Sequence, residues 1–350
     1  MKNYSDDFED FDEIELSDVW TPPARAKVPR KPKQTRSGMI AQMVERAILE
    51  RPSPGAAKRE PKPKPGRKET FYSLVEENRA KSSFSPTFGG LSTAKNHVSK
   101  HESEWIFTYL GRFYEEHLIT DVLRRVKSGK EATVYCCAAD PRTGVDLLAG
   151  KVYHERMFRS LKNDSLYREG RELLDDEGKE MRGRRIKVAM AKKTSFGQQL
   201  RHVTWLTNEF EALKRLHAAG ADVPRPLIHS ENAILMGYVG DRERAGDALI
   251  NVRLSRNEAR PLFDRLMWNI DLMFANNLVH GDLSAHNILY WEGAATIIDF
   301  PQAVVPFVNP NAYALLTRDI KRVCDYFFRY GIEADAELLT RELWSKYVPS

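Results

Sequence analysis

Between Leu278 and Phe300 the chain reads L-V-H-G-D-L-S-A-H-N-I-L-Y-W-E-G-A-A-T-I-I-D-F, which puts His280, Asp282, Asn287 and Asp299 in one short window. Two apolar runs, Ile288–Tyr290 and Thr296–Ile298, flank Glu292-Gly293, a pair suited to a tight turn. The spacing predicts a hairpin with Asp282 and Asn287 at its entrance and Asp299 at its exit, so that three oxygen-bearing side chains converge. Asp and Asn are also ordinary turn residues, and one alone would carry no chemistry. As a set they suit phosphoryl transfer. One carboxylate orients the attacking hydroxyl and takes its proton, while an amide oxygen and a second carboxylate hold a hard divalent cation against phosphates. On that reading Asp282 is the proton acceptor, and Asn287 and Asp299 are metal ligands. The spacing H-x-D-L-x-x-x-N, an apolar strand, then D-F matches the catalytic and metal loops of kinases.

Such a window needs elements to hold phosphates over it. Residues 122–138, V-L-R-R-V-K-S-G-K-E-A-T-V-Y-C-C-A, read as two strands around the tip Ser128-Gly129-Lys130-Glu131. A tip of this kind offers backbone N–H groups and the Ser128 hydroxyl to phosphate oxygens, with Val134 on the following strand. It has one glycine rather than three, and it lacks the Walker spacing; a plain turn has the same letters. The next strand, Leu147–Tyr153, carries Lys151 in apolar company, where a lysine needs a partner. It either snorkels from an edge strand or reaches α/β-phosphates while paired with a helix glutamate. Residues 205–217 supply that glutamate. Trp205, Leu206, Phe210, Leu213 and Leu216 form the core stripe of a helix stopping near Gly220, and Glu209 lies beside the stripe. Glu211 points elsewhere, toward Arg215 at i,i+4.

The rest of the frame follows from periodicity. A helix opens near Glu102, with Trp105, Ile106, Tyr109, Leu110, Phe113, His117 and Leu118 on one face and His117 read as packed or surface. Val223–Pro226 and Ala233–Val239 read as strands. The second ends in a hinge, where the backbone of Met236–Tyr238 is placed to bond an adenine. Ser255 and Glu258 form a capping-box signature for a helix running to about Asn277, with Leu262, Leu266, Ile270 and Met273 inward. Two helices, about 312–330 and 333–346, close the chain.

The 350 residues suffice for one large domain or two modest ones, and no apolar run reaches the roughly 18–20 residues of a membrane span. Cys136, Cys137 and Cys324 are too few and badly spaced for a disulfide framework or metal knuckle, and the adjacent pair on a strand reads as core and rim residues. With an acidic N-terminus and no secretion signal, the expected location is the cytoplasm. The net charge of +5 is unevenly spread. Residues 1–18 carry eight acids, 21–36 six bases and no acid, and 51–68 five prolines with seven bases. Most of 1–100 is therefore expected to be disordered. Residues 39–48 form a short amphipathic island, and the aromatics Phe71, Tyr72, Phe84 and Phe88 are sparse. Between Lys151 and Glu209 a long insert includes Lys179–Lys193, with seven bases and one acid, expected to be flexible and to grip an acidic or phosphate-bearing partner. The basic segments are either contacts for RNA or a ribosomal particle, or simply solvated.

Taken together, K-S-G-K-E-A-T-V-Y (127–135), Lys151, W-x-x-x-E-F-x-x-L (205–213), L-V-H-G-D-L-S-x-x-N-x-L-Y (278–290) and I-I-D-F-P-Q-A-V (297–304) resemble the RIO family of atypical protein kinases, nearest its type-one branch. The resemblance covers roughly residues 103–345. It implies an α+β, two-lobed kinase-like fold with a short N-terminal helical extension, a truncated C-lobe and a disordered tail. The divisions fall at 1–100, 101–240 and 241–350. It also implies ATP with Mg²⁺, or Mn²⁺ in its place, and serine/threonine phosphorylation that includes the enzyme itself, or ATP hydrolysis. In that branch the residue matching Asp299 serves as a transient aspartyl-phosphate acceptor, and family members act in ribosome maturation. No membrane partner is implied. Gly281 stands where ordinary kinases have the arginine of H-R-D, and Pro301 where they have the glycine of D-F-G; about fifty residues follow Asp299. Two rival readings share parts of the pattern. Small-molecule phosphotransferases of the aminoglycoside or choline type use H-G-D-x-x-x-x-N and I-D-F, and a nucleotide-binding scaffold would dock on RNA through the basic segments.

Overall fold

In the computed structural model, residues 84, 86–87, 100–154, 195–230 and 232–347 are described. The acidic and basic segments of the first hundred residues, the island at 39–48 and the insert Lys179–Lys193 lie outside them. Five antiparallel strands form the first layer: β1 (Ile119–Ser128), β2 (Ala132–Ala139), β3 (Leu147–Tyr153), β4 (Pro226–His229) and β5 (Ala233–Gly237), in the order β1-β2-β3-β5-β4. β3 is the central strand, so its side chains alternate between two covered faces. Leu148 and Val152 point to helix α1 (Lys100–Glu115), beside Ile106, Leu110 and Phe113. Gly150 shares that face because Leu110 packs directly against it; a Cβ there would lie 3.0 Å from the leucine. Ala149, Lys151 and Tyr153 therefore point the other way, toward helix α2 (Ser195–Ala218) and the second layer. A lysine on a central strand cannot snorkel past an edge, which removes that reading of Lys151.

Several boundaries differ from those read in the sequence. α1 ends at Glu115, and His117 lies exposed beyond it with φ 57. α2 starts ten residues before Trp205. Val223–Arg225 precede strand β4, and Tyr238 and Val239 follow the end of β5. Cys136 and Cys137 are both fully buried, on opposite faces of a sheet covered on both sides, so neither is a rim residue. Glu211 pairs with Lys214 at 3.1 Å rather than with Arg215. Phe84 is the one described aromatic of the N-terminal hundred residues. It is buried against Phe107 and Tyr114, while the Thr87 amide donates to Asp121 at 2.8 Å. These residues upstream of α1 therefore pack against α1 and β1.

The second layer holds β6 (Asp247–Ala248), β7 (Ile288–Trp291) and β8 (Ala294–Ile297) beside helices α3 (Arg256–Ala275), α4 (Ala312–Phe328) and α5 (Ala336–Tyr347). Ser255 accepts from the Glu258 amide, and the Glu258 carboxylate accepts from the Ser255 amide, closing the expected capping box. Leu262, Leu266, Ile270 and Met273 are buried as the periodicity requires. The β7–β8 hairpin turns on Glu292 and Gly293, both at positive φ (49° and 84°), the geometry of a two-residue hairpin loop. No described helix is long and apolar enough to cross a membrane.

Candidate active site

The two layers meet at Lys151. Its Nζ donates to Glu209 Oε1 on α2 and to Asp299 Oδ1 beyond β8, each at 2.7 Å. Burial works against the ammonium charge, but the carboxylates of Asp299 and Glu209 outweigh it and hold the lysine pKa well above its ordinary value. The same contact acts on Asp299: burial alone would raise its pKa, and Lys151 brings it below the usual range. Glu209 is the most enclosed member, 1 % exposed, and burial pushes its pKa up despite Lys151. The hydroxyl of Tyr153, two residues along the same face of β3, donates to its second oxygen. Asp299 sits at φ 74, a left-handed conformation that aspartate tolerates better than most residues.

The loop 280–287 is tied to the Asp299 segment from both ends. The Asp282 amide donates to His280 Nδ1 at 3.3 Å, so Nε2 carries the proton and donates to the Ile298 carbonyl at 3.1 Å. Burial lowers the His280 pKa, in keeping with a neutral ring. Asn287 accepts the Ile298 amide on its own carbonyl at 2.9 Å, and its Nδ2 donates to the Asp282 carbonyl at 2.9 Å. That bond assigns the side-chain nitrogen inward and leaves Oδ1 as the outer end. Asp282 Oδ1 accepts from Arg322 of α4 at 2.8 Å.

At the β1–β2 tip the Gly129 amide donates to the Ala132 carbonyl at 2.9 Å, with Ser128, Gly129 and Lys130 exposed. The Ser128 hydroxyl contacts Thr133 Oγ1, which bonds His154 Nε2 at 2.9 Å, so the tip is braced from the end of β3. Val134 is directly opposite Lys151 in the β2–β3 register. Met236 is buried on β5, and the Tyr238 hydroxyl accepts from Arg124 of β1. The Gly237 amide is already committed to the Arg225 carbonyl at 2.8 Å, which takes one of the expected hinge donors away from a nucleobase.

A family model described as the RIO domain matches residues 159–339, more than half of the chain. This chain belongs to the RIO family. It is 30 % identical over 252 residues to the serine/threonine-protein kinase RIO1 of Chaetomium thermophilum, covering 69 % of this chain and 45 % of that protein. It is 33 % identical over 143 residues to the RIO-type serine/threonine-protein kinase Rio1 of Haloferax volcanii, covering 41 % and 48 %. The Thermoplasma acidophilum Rio1 is 30 % identical over 142 residues, 41 % of this chain and 73 % of that protein. The chain thus spans less than half the length of the first two relatives.

Within this RIO chain the matched segment begins beyond β3, so the β1–β2 tip and Lys151 stand on their geometry. Four further residues join the site; the sequence offers Glu131 only as part of the β1–β2 tip and gives no role to the other three. Asp319 of α4 is buried and accepts the amides of Gly281 (2.7 Å) and Leu283 (3.0 Å), which straddle Asp282. Gly281 at φ 77 permits that bend. Burial raises the Asp319 pKa to about 7 against the pull of those two amides. Its sequence signal is a carboxylate in the apolar stripe Leu315, Leu316, Ile320, Val323. Tyr153 and Glu131 face the same carboxylate cluster; burial, then Asp299, raises the Glu131 pKa. Arg322 reaches Asp282 across forty residues, and nothing local in the sequence marks it.

Proposed function

We propose that this chain is an ATP- and Mg²⁺-dependent phosphotransferase of the RIO type, passing the γ-phosphoryl group to serine or threonine, its own included, or to water. The observation that carries the reading is Lys151 held between Glu209 and Asp299 at 2.7 Å each, facing a loop that presents Asp282 and Asn287. Lys151 would bind α/β-phosphate oxygens, with Glu209 and Tyr153 keeping it extended. The exposed tip, Ser128, Gly129 and Lys130, would cover the phosphates. Val134 and Met236 would line the base, and the main chain at Met236 and Tyr238 would bond it. The outward Oδ1 of Asn287 and the Asp299 carboxylate fit a hard cation that needs few protein oxygens when phosphates supply others. Mg²⁺, or Mn²⁺, would neutralise charge on the transferring group. Asp282 would take the proton of the attacking hydroxyl. A transient aspartyl phosphate on Asp299 remains the branch-specific variant of this scheme. The lobe division at 240 is supported by the end of β5 at Gly237 and by Gly240, at φ 131 with the Arg244 carbonyl packed against it.

The test uses full-length chain with γ-labelled ATP and Mg²⁺, following free phosphate and protein-bound label beside Asp282→Ala and Asp299→Asn. Wild-type turnover lost in both variants is the expected result. Acid-stable label indicates a phosphoserine or phosphothreonine, and hydroxylamine-labile label an aspartyl phosphate. Nucleotide binding with neither product from wild type would remove the phosphotransferase reading in favour of a scaffold.

A further inference from the structure

Beside Asp282 the loop and α4 border a cleft of about 500 Å³ whose loop side includes Asp282 and Asn287 and whose helix side the scheme above leaves without a role. Asp282, His286 and Asn287 form its loop side; Arg322, Asp325 and Arg329 form its helix side. The three helix residues recur at three- and four-residue steps and so share one face. Their charges are not equally engaged. Asp325 is paired with Lys321 on its own helix at 3.0 Å, which offsets the acidic member. Arg322 holds Asp282, with both side chains partly open to solvent at 39 % and 48 %. Arg329 is exposed and lies over the Tyr326 ring, 4.5 Å from its centre. The loop itself carries no lysine or arginine between Asp282 and Asn287. Among the described residues, the lysines and arginines lining this cleft therefore come from α4 and its C-terminal cap, and they line the same cleft as Asp282.

We infer that this cleft is the acceptor subsite and that it takes an acidic peptide, a serine flanked by aspartate or glutamate. The inference rests on the phosphotransferase reading above. Guanidinium groups match carboxylates in planar, two-point contacts, so Arg322 and Arg329 would seat the flanking acids. Arg322 has a second consequence. In the structure it occupies Asp282 Oδ1, and an acidic substrate offers it a competing carboxylate, which frees that oxygen for the serine hydroxyl. The serine Oγ–H proton then passes to Asp282 and an Oγ–P bond forms. The bond from the γ-phosphorus to the β,γ-bridging oxygen breaks, and ADP leaves with the electron pair. A cationic amino-sugar acceptor would meet the two arginines unfavourably. Single-stranded RNA would need a run of open stacking faces, whereas on the helix side the Tyr326 ring is buried and covered by Arg329, which leaves the single exposed ring of His286 on the loop side.

The test measures binding and transfer separately on the full chain. A fluorescent serine peptide flanked by Asp and Glu is compared by anisotropy, without nucleotide, with the same peptide flanked by Lys and Arg. Both are then assayed with γ-labelled ATP. Wild type is expected to favour the acidic peptide by about tenfold or more, the scale of two exposed ion pairs. Arg322→Gln and Arg329→Glu should bring the ratio toward one, and Arg329→Glu should recover binding of the basic peptide. Because each ratio is taken within one variant, a general loss of turnover does not imitate the effect. A wild-type ratio near one, or a ratio unmoved by both substitutions, overturns the subsite. Displacement of the acidic peptide by single-stranded RNA through the same arginines also overturns it and gives the cleft to nucleic acid. Arginine-dependent peptide binding with no transfer to any acceptor, water included, upholds the binding specificity and removes the phosphotransferase reading alone.

Discussion

Lys151 is the residue on which the site balances, and its surroundings explain why it is charged. An ammonium group on a central strand would be strongly unfavourable alone; two carboxylates at 2.7 Å make the charged form the stable one. The arrangement leaves a surplus of negative charge, and Glu209, the most enclosed of the three, carries the burial penalty. Tyr153 answers that need by donating to the Glu209 oxygen that Lys151 does not use. Tyr153→Phe removes a hydrogen bond to a buried charge while keeping the ring, so it should destabilise the fold by about 1.5–3 kcal/mol. Urea unfolding of the variant beside wild type checks this. A loss below about 0.5 kcal/mol, within the range of ordinary surface substitutions, would mean that Glu209 does not depend on the phenol. The sequence made Lys151 and Glu209 legible because a strand lysine and a helix glutamate each stand out against an apolar pattern. Tyr153 in an apolar strand does not stand out, since its hydroxyl declares a role only when a partner arrives from elsewhere in the fold.

Among the elements, α4 does more than close the core. Its Asp319 grips the main chain on both sides of Asp282, and its Arg322 touches the Asp282 carboxylate, so one helix sets both the backbone and the side chain of that residue. The Asp319 pKa, raised to about 7, gives this brace a pH dependence whose sign can be worked out. An unfolded aspartate titrates near about 3.9. Between that value and about 7 the folded state therefore binds more protons than the unfolded state, and stability falls as pH rises through this window. Asp319→Asn removes the titration; its amide can accept from only one of the two main-chain N–H groups, so the variant starts from a lower stability, and the pH slope is the quantity to compare. Wild type should lose stability in urea between about pH 5 and pH 7.5, at up to roughly 1.4 kcal/mol per pH unit, and the variant should show a flatter profile. Equal slopes in the two proteins would mean that Asp319 titrates low and acts as an ordinary ionised acceptor. The hairpin β7–β8, the capping box and the strand bounds of β3 were legible because each is written in adjacent residues. The brace was not, because Asp319 lies 38 residues beyond the Gly281 amide it holds and only folding brings them together.

For the molecule as a whole, the contact between Lys151 and Asp299 is also a contact between layers: a strand of the five-stranded sheet is pinned to the segment that follows β8. In the proposed scheme both residues have work to do on the same nucleotide, the lysine on phosphate oxygens and the aspartate on a cation. Lys151 can reach phosphate without metal, but Asp299, an anion beside polyphosphate, engages only when a divalent ion lies between them. The two contributions should therefore separate in the thermal stability of the full chain. ATP with a chelator should raise Tm modestly, and ATP with Mg²⁺ further, since a ligand at about 100 times its Kd stabilises by about 2.7 kcal/mol. In Asp299→Asn the increment due to Mg²⁺ should disappear while the metal-free increment persists; in Lys151→Met the metal-free increment should be the one lost. This crossed pattern is specific to a nucleotide lying between the layers. If Asp299→Asn kept the full Mg²⁺ increment, the cation would be held elsewhere and the Asn287–Asp299 pair would not be its site. If neither variant altered either increment, the nucleotide would bind away from the Lys151 contact altogether.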